Sequence, residues 1–429
     1  MDSPSISTDA LAIPSGCQVA GSINVPASKS ATHRALNMSV LARRPVLVER
    51  PLFAEDTELF LAALAQLGWH VDRMPAAVQL TPGLLPTSAR LFCGNAGTML
   101  RFLIASLSTQ KGDWLLDGTP RLRERPVAPL LHAVRALGGV ARCLEREGYA
   151  PVEIVGGNLQ GGRVRLDAGE SSQYLSALLM AGTCAPRGVE VELVALTSEP
   201  YVNLTVQAIE RFGGRVERLN STTYRVGTTD LGAARILVEG DDSAACYPAA
   251  AAALAGGCVR LTGLTGDSRH GDRRFIGLLE SMGAQVRWRG DTLEVERGDL
   301  VAVQADLSGM PDQVPTLAAL APFARGVTSI RNVPHLRVKE SDRLHAMASG
   351  LRALGASVEE HEDGLSIPGN WASGEAPQGE VLVDSYGDHR VAMSFALVGL
   401  RRPGLRVRDP SVVGKSYPDF WRDFFSLLR

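Results

Sequence analysis

A pattern of helix, glycine and strand recurs along this chain, and that recurrence restricts the fold more than any single motif. "LAALAQLGWHV", "LHAVRALGGVA", "VQAIERFGGRV", "IGLLESMGAQV" and "ASGLRALGASV" each carry apolar residues at helical spacing, then a glycine, then a valine two or three residues on. An amphipathic helix closed by glycine and followed by a strand is predicted at each. The glycines are Gly68, Gly138, Gly213, Gly283 and Gly355, at intervals of 70, 75, 70 and 72 residues. A further interval of 74 residues reaches Arg429, where "FWRDFFSLLR" supplies a sixth helical pattern. Six α/β units follow, three in each half, with a crossing between domains at about Glu239–Ser243.

Between the repeat helices lie others: "GTMLRFLIASL", "SSQYLSALLMAG", "DSAACYPAAAAALAGG", "DQVPTLAALAPFA" and "DHRVAMSFALVGL". The strand-like runs "RVRLDA", "ARILVEG", "CVRLTGL", "TLEVER" and "GEVLVD" intervene. At 429 residues the chain can bury more than one core. A net charge of −2 gives no global field to draw in nucleic acid or an anionic membrane. No run approaches the length of a membrane span, and the first residues lack the pattern of a secretory signal. Six scattered cysteines with no CxxC pair predict reduced, mostly buried thiols in a cytoplasm, and no zinc site.

Arginine has displaced lysine almost everywhere: of 44 basic residues only Lys29, Lys111, Lys339 and Lys415 are lysine. Arginine cannot replace a compact, titratable point charge. Lys111 lies in the turn-like "TQKGD", while the other three stand in the polar motifs "ASKSATHR", "RVKESDR" and "VVGKSYPD" and are candidates for function. Many polar motifs precede a helix: Ser28 and Ser30 around Lys29, Asn95, Ser171 with Ser172, Ser341 and Asp388. Such residues cap helices. Helix N-termini also offer free N–H groups and a positive dipole end, which suits phosphate and carboxylate. "DPSVVGKS" is not a P-loop, because Asp409 stands where the pattern needs glycine.

"PASKSATHRAL", "GNAGTMLR", "PRLRERP", "SSQYLSALLMA", "SEPYV", "RVKESDR", "YGDHRVAMS" and "GKSYPDF", in this order from residue 26 to 420, resemble the 5-enolpyruvylshikimate-3-phosphate synthase family. The resemblance covers essentially the whole chain. It implies an α/β fold of two similar domains, each of three βαβαββ units in a pseudo-threefold inside-out α/β barrel, with the site in an interdomain cleft. Residues 1–27 and 242–429 would form one domain and 28–241 the other. It implies that the enolpyruvyl group of phosphoenolpyruvate passes to the 5-hydroxyl of shikimate 3-phosphate by addition and elimination, with no metal and no organic cofactor. A monomer without nucleic-acid or membrane partners is expected.

By the same resemblance, Lys29, Asn95, Gly97, Arg125, Arg343, Arg390 and Lys415 would hold phosphoenolpyruvate. Lys29, Ser30, Arg34, Ser171, Ser172, Gln173, Ser198, Tyr201, Asp312, His335 and Lys339 would bind shikimate 3-phosphate, and Lys29 would join Asp312 and Glu340 as a catalytic residue. Asp312 would accept the 5-hydroxyl proton, and Glu340 would protonate C3 and later remove a proton from it. Cations around Glu340 favour its ionised form, so burial must oppose them if it is to donate. Arg101 is expected to be a structural partner, as is Arg337.

Three positions depart from the family pattern: His335 replaces an asparagine, Phe102 a proline and Ala244 a serine. Phe102 predicts an altered affinity for glyphosate, while Gly97 argues for sensitivity. The related UDP-N-acetylglucosamine enolpyruvyl transferase is the nearest rival, but no cysteine lies between Cys93 and Cys143, where its usual catalytic loop carries one. A paralogue acting on another shikimate-like acceptor, and a non-catalytic phospho-ligand binder, are the other readings.

Overall fold

The computed structural model describes residues 9–266, 268–371 and 378–429. The chain divides into two compact units. One joins the N-terminal segment up to Pro26 with Glu239–Arg429; the other is Ala27–Val238.

The repeat helices are Glu55–Gln66, Ala128–Ala136, Pro200–Arg211, Arg274–Ser281 and Arg343–Ala353, and Phe420–Ser426 is the sixth. The five glycines that follow have φ from +81° to +108°, a region glycine enters without steric cost. At Gly68 a Cβ would also lie 2.0 Å from the Leu84 carbonyl oxygen. Strands Trp69–Met74, Val140–Cys143, Val216–Arg218, Gln285–Arg289 and Glu359–His361 come next, so glycine turns the chain from helix to sheet each time.

One sheet shows the pattern of all. Ser88–Phe92 runs parallel to Gly112–Asp117, which pairs antiparallel with Val152–Gly156, and that strand pairs with Val140–Cys143. The buried helix Gly97–Leu107 joins the parallel pair, and the amphipathic Ala128–Ala136 leads into the hairpin. Among the described residues there are five such open four-stranded sheets and a sixth of three strands. Some strands are supplied from far along the chain. Arg235–Leu237 pairs with Val46–Glu49, Gly21–Asn24 with Cys258–Thr262, and Ala10–Ala12 with Leu405–Arg408. The last two tie the N-terminal segment to the C-terminal half.

At the centre of Ala27–Val238 stand the helices Lys29–Ala42, Gly97–Leu107 and Gln173–Gly182, packed on one another. The Ser106 hydroxyl donates to Asn37 Oδ1 and Asn37 Nδ2 reaches Met180 Sδ, deep in all three, while Gln173 reaches Thr98 at the starts of two. The three therefore run parallel, with their positive ends together. In the other unit Asp242–Ala255, Val314–Leu320 and His389–Gly399 take these places. Asp242–Ala255 is buried along its whole length, which its alanine run permits by letting neighbours approach closely. "DQVPTLAALAPFA" is not one helix: 3-10 turns Pro311–Gln313 and Ala321–Phe323 flank Val314–Leu320. Prolines at 311, 315 and 322 lack the N–H that a continuous helix needs.

Of the six free thiols only Cys93 and Cys246 are buried, and the other four are half-buried, which corrects the expectation of mostly buried cysteines. Cys246 lies within the inner helix Asp242–Ala255 and Cys93 directly after the strand Ser88–Phe92, and burial raises both thiols and makes them poor nucleophiles. No helix of the described residues is long and apolar enough to cross a membrane.

Candidate active site

In the unit containing the C-terminus, three short stretches place charged groups around one guanidinium. Asp312 sits on the 3-10 turn ahead of Val314–Leu320. Arg343 is the first residue of Arg343–Ala353, whose N-cap Asp342 accepts from the His345 N–H at 3.0 Å. Asp388 caps His389–Gly399, accepting from the Arg390 N–H at 2.9 Å. Arg343, only 1% exposed, donates through Nε to Asp388 (2.8 Å), through Nη1 to Asp312 (2.8 Å) and through Nη2 to Glu340 (2.9 Å). Arg390 Nη2 holds the other Asp312 oxygen at 2.5 Å, and the Ser341 hydroxyl donates to Asp388 at 3.1 Å.

Burial by itself would raise the Asp312 carboxyl, but Arg390, Arg343 and Lys339 outweigh it and hold the group far below the usual carboxylate range. Burial would lower the Arg343 guanidinium, yet Asp388, Glu340 and Asp312 raise it well above its ordinary value. His335, buried beside these charges, is pushed down to about 3 by burial and then by Lys339, so it is neutral at pH 7. Behind Arg390 lies the Tyr247 hydroxyl at 3.4 Å, raised to about 12 chiefly by burial. Lys415, also buried, ends the 3-10 helix Pro410–Lys415.

In Ala27–Val238 the predicted residues gather at the starts of the three central helices. Lys29 opens the first, with Ser28 capping it, and its ammonium lies 3.2 Å from Asp56. Arg34, one turn on, donates to the Ser30 carbonyl (2.9 Å), the Tyr201 carbonyl (2.8 Å) and Thr205 (2.8 Å). The residue expected as a ligand is thus also the tie between two helix starts. Its guanidinium stands 5.4 Å from the centre of the Phe102 ring. At the second helix Asn95 does not cap; Ala96 holds that place, and the Asn95 carbonyl accepts from Arg125 Nη1 at 3.0 Å. Gly97 lies under the Arg125 guanidinium, where a Cβ would come 2.7 Å from Arg125 Cζ.

At the third, Ser172 takes the N-cap position without a side-chain cap bond, and Ser171 Oγ accepts from the Gln173 N–H at 3.3 Å. The Gln173 amide is fixed on both sides, accepting from Arg101 Nη1 at 2.7 Å and donating to Thr98 at 2.8 Å. Arg101 also bonds the Pro126 carbonyl, the structural role expected of it. Ser198 is buried with φ +53°, an uncommon strain for serine, just before helix Pro200–Arg211.

Sequence reasoning misses several partners. Asp388 stands out only as a cap, Ser341 is expected to help start its helix and instead bonds Asp388, and nothing marks Asp56, Thr98 or Tyr247. Their roles come from long-range pairing and leave no local signal. Arg337 is structural as expected: it pairs with Asp342 and Glu360 and bonds the His361 carbonyl. Among the described residues no group of His, Cys, Asp and Glu is arranged to hold a metal ion.

The fold is that of the enolpyruvyl transferases. The enolpyruvyl transferase NikO from Streptomyces tendae matches 99% of this chain with 98% of its own at a TM-score of 0.78; at 18% identity that likeness is one of fold alone. A solved EPSP synthase from Acinetobacter baumannii gives a TM-score of 0.80 at 28% identity over 98% of both chains. The family model described as EPSP synthase (3-phosphoshikimate 1-carboxyvinyltransferase) matches residues 14–424. A 3-phosphoshikimate 1-carboxyvinyltransferase from Syntrophobacter fumaroxidans is 45% identical over 94% of this chain and 96% of its own, and one from Methanoculleus marisnigri is 42% identical over 93% and 95%. The chain belongs to the EPSP synthase family and is a transferase.

Proposed function

We propose that this chain transfers the enolpyruvyl group of phosphoenolpyruvate to the 5-hydroxyl of shikimate 3-phosphate, releasing phosphate, in the shikimate route to aromatic amino acids. The observation that carries this is the pair of carboxylates, Asp312 and Glu340, held 2.8 and 2.9 Å from one buried guanidinium. The Asp312 carboxylate takes the proton of the attacking hydroxyl while Glu340, entering the step as the neutral carboxylic acid, protonates C3. After the 5-hydroxyl oxygen bonds C2, the tetrahedral intermediate returns a C3 proton to Glu340 and expels phosphate.

The arginines that keep Asp312 ionised are the groups proposed to hold the donor. When the carboxylate and phosphate of phosphoenolpyruvate draw on Arg343 and Arg390, Asp312 loses cationic support and its proton affinity climbs, as a base for a hydroxyl requires. Lys29, Asn95, Gly97, Arg125 and Lys415 complete the donor's proposed contacts. Lys29, Ser30, Arg34, Ser171, Ser172, Gln173, Ser198, Tyr201, His335 and Lys339 are those proposed for shikimate 3-phosphate. A monomer in the cytoplasm is the proposed setting, in keeping with small-molecule substrates.

Phosphate release from phosphoenolpyruvate, measured with shikimate 3-phosphate and separately with UDP-N-acetylglucosamine, tests the reading. Turnover with the first alone is expected, and turnover with the second alone overturns it. Glu340→Gln is expected to bind phosphoenolpyruvate and lose turnover; near-normal turnover removes Glu340 from the chemistry.

A further inference from the structure

Asp312 is gripped at its carboxylate by two arginines, but its backbone rides on a turn of only three residues, Pro311–Gln313. A turn that short cannot fix a side chain by its own hydrogen bonds. The neighbouring side chain supplies the anchor. Gln313 is fully buried, its Nε2 donating to Asp272 Oδ2 at 2.8 Å and its Oε1 accepting from the Thr316 hydroxyl at 3.0 Å. Asp272 is fully buried too, and the same oxygen accepts from the Ser243 hydroxyl at 2.5 Å. The Asp272 N–H donates to His270 Nδ1 at 3.2 Å, which sets the short turn Gly271–Arg273 that presents the carboxylate.

Asp272 therefore joins the starts of two central helices. Ser243 belongs to the first turn of Asp242–Ala255, itself capped by Asp241, and Gln313 immediately precedes Val314–Leu320. A buried carboxylate is costly unless its lone pairs are met, and here two donors from two helices meet one oxygen. An apolar residue in its place would leave the buried Gln313 amide and Ser243 hydroxyl to find other partners, and the turn carrying Asp312 would lose its reference point.

We propose that Asp272 is a positioning residue for the transfer reaction, acting through Gln313 to set where the Asp312 carboxylate stands. The inference rests on Asp312 being the base of the proposed reaction. Asp272 does not touch substrate; it governs the reach of a group that does. Displacing a catalytic group by about 1 Å costs on the order of 100-fold in rate, while binding that depends on other residues is little changed. The effect belongs in kcat rather than KM.

Gln313→Met keeps the volume and removes the donor. The expected result is a fall in kcat of about 10- to 100-fold, with both KM values within about threefold of wild type. The same change made on Asp312→Asn is expected to cost less than about threefold, because the carboxylate being positioned is gone. Asp272→Asn, whose amide oxygen can stand where Oδ2 stands and accept from both Gln313 and the Ser243 hydroxyl, is expected to retain activity within about fivefold of wild type. Asp272→Leu should resemble Gln313→Met.

Equal losses from Gln313→Met with and without the Asp312 carboxylate would show general damage to the fold and overturn the proposal. So would wild-type kcat in Gln313→Met, or a loss confined to KM. Asp312→Asn alone separates the two levels. If it turns over normally, the assignment of Asp312 as base fails; if it is inactive while Gln313→Met is normal, only the positioning role fails.

Discussion

Replacing Gly97 by alanine tests the donor pocket with one carbon atom. The new Cβ would lie 2.7 Å from Arg125 Cζ and Nη2 and 2.9 Å from Nη1. To reach an ordinary contact of 3.4 Å the guanidinium must retreat by about 0.7 Å. It is 3% exposed and bonded to the Asn95 carbonyl at 3.0 Å, so it cannot retreat without straining or losing that bond. A hydrogen bond made by a charged group contributes about 1.5–3 kcal/mol. If the displaced Arg125 loses one such bond to phosphoenolpyruvate, donor affinity falls about 10- to 100-fold, since 1.4 kcal/mol is tenfold. The helix itself accepts alanine better than glycine, so stability is not the cause. The assay is steady-state kinetics with each substrate varied in turn. KM for phosphoenolpyruvate should rise by that factor, and KM for shikimate 3-phosphate should stay within about twofold. A donor KM within about twofold of wild type refutes the reasoning, because it would mean that the guanidinium over Gly97 either does not bind donor or moves without cost.

Three further outcomes are expected. His335 is held neutral down to about pH 3, against about 6.5 for an unfolded histidine, so the unfolded chain takes up a proton that the folded chain refuses between those values. The stability this group contributes is fully present above pH 6.5 and is lost as pH falls through the window, by up to about 1.4 kcal/mol per pH unit. His335→Asn should flatten the dependence by that amount in urea unfolding at pH 6.5, 5.5 and 4.5; an unchanged slope counts against it. Phe102 is fully buried with Arg34 over its ring, so Phe102→Pro should lower stability by about 3–5 kcal/mol through the lost ring, with a further loss from the missing N–H inside Gly97–Leu107, and change inhibition by glyphosate. Equal inhibition of both proteins removes Phe102 from any role in that pocket. Gly277 lies exposed within Arg274–Ser281, and a Cβ added there would meet nothing within 4 Å. Gly277→Ala should therefore stabilise the protein by about 0.5–1 kcal/mol in urea unfolding, and no gain would refute the helix-propensity argument.

Much of this protein is written locally. A glycine after each amphipathic helix needs only its own torsion, and a strand needs only its own alternation, so six units and their order follow from the chain alone. The basic and hydroxyl residues ahead of the helices are legible for the same reason: a helix start is made by the few residues around it. The motifs that resemble the EPSP synthase family are short contiguous runs, which is why Lys29, Asn95, Glu340, Arg343 and Arg390 can be proposed as site residues from the amino-acid order alone.

What the sequence could not express is pairing across distance. Nothing near Gly21–Asn24 says that it runs beside Cys258–Thr262, and that pairing joins the N-terminal segment to the far half of the chain. The break of the 311–323 region into short turns and the half-buried cysteines are likewise settled by neighbours. The charge state of the site belongs to the same class. Asp312 and Arg343 are ordinary residues in sequence, and only the opposite charges packed against them, outweighing burial, shift both far from their usual values. A buried charge is tolerable only with its partners in place, and those partners come from segments tens of residues apart, so tertiary structure alone decided the electrostatics on which the proposed chemistry depends.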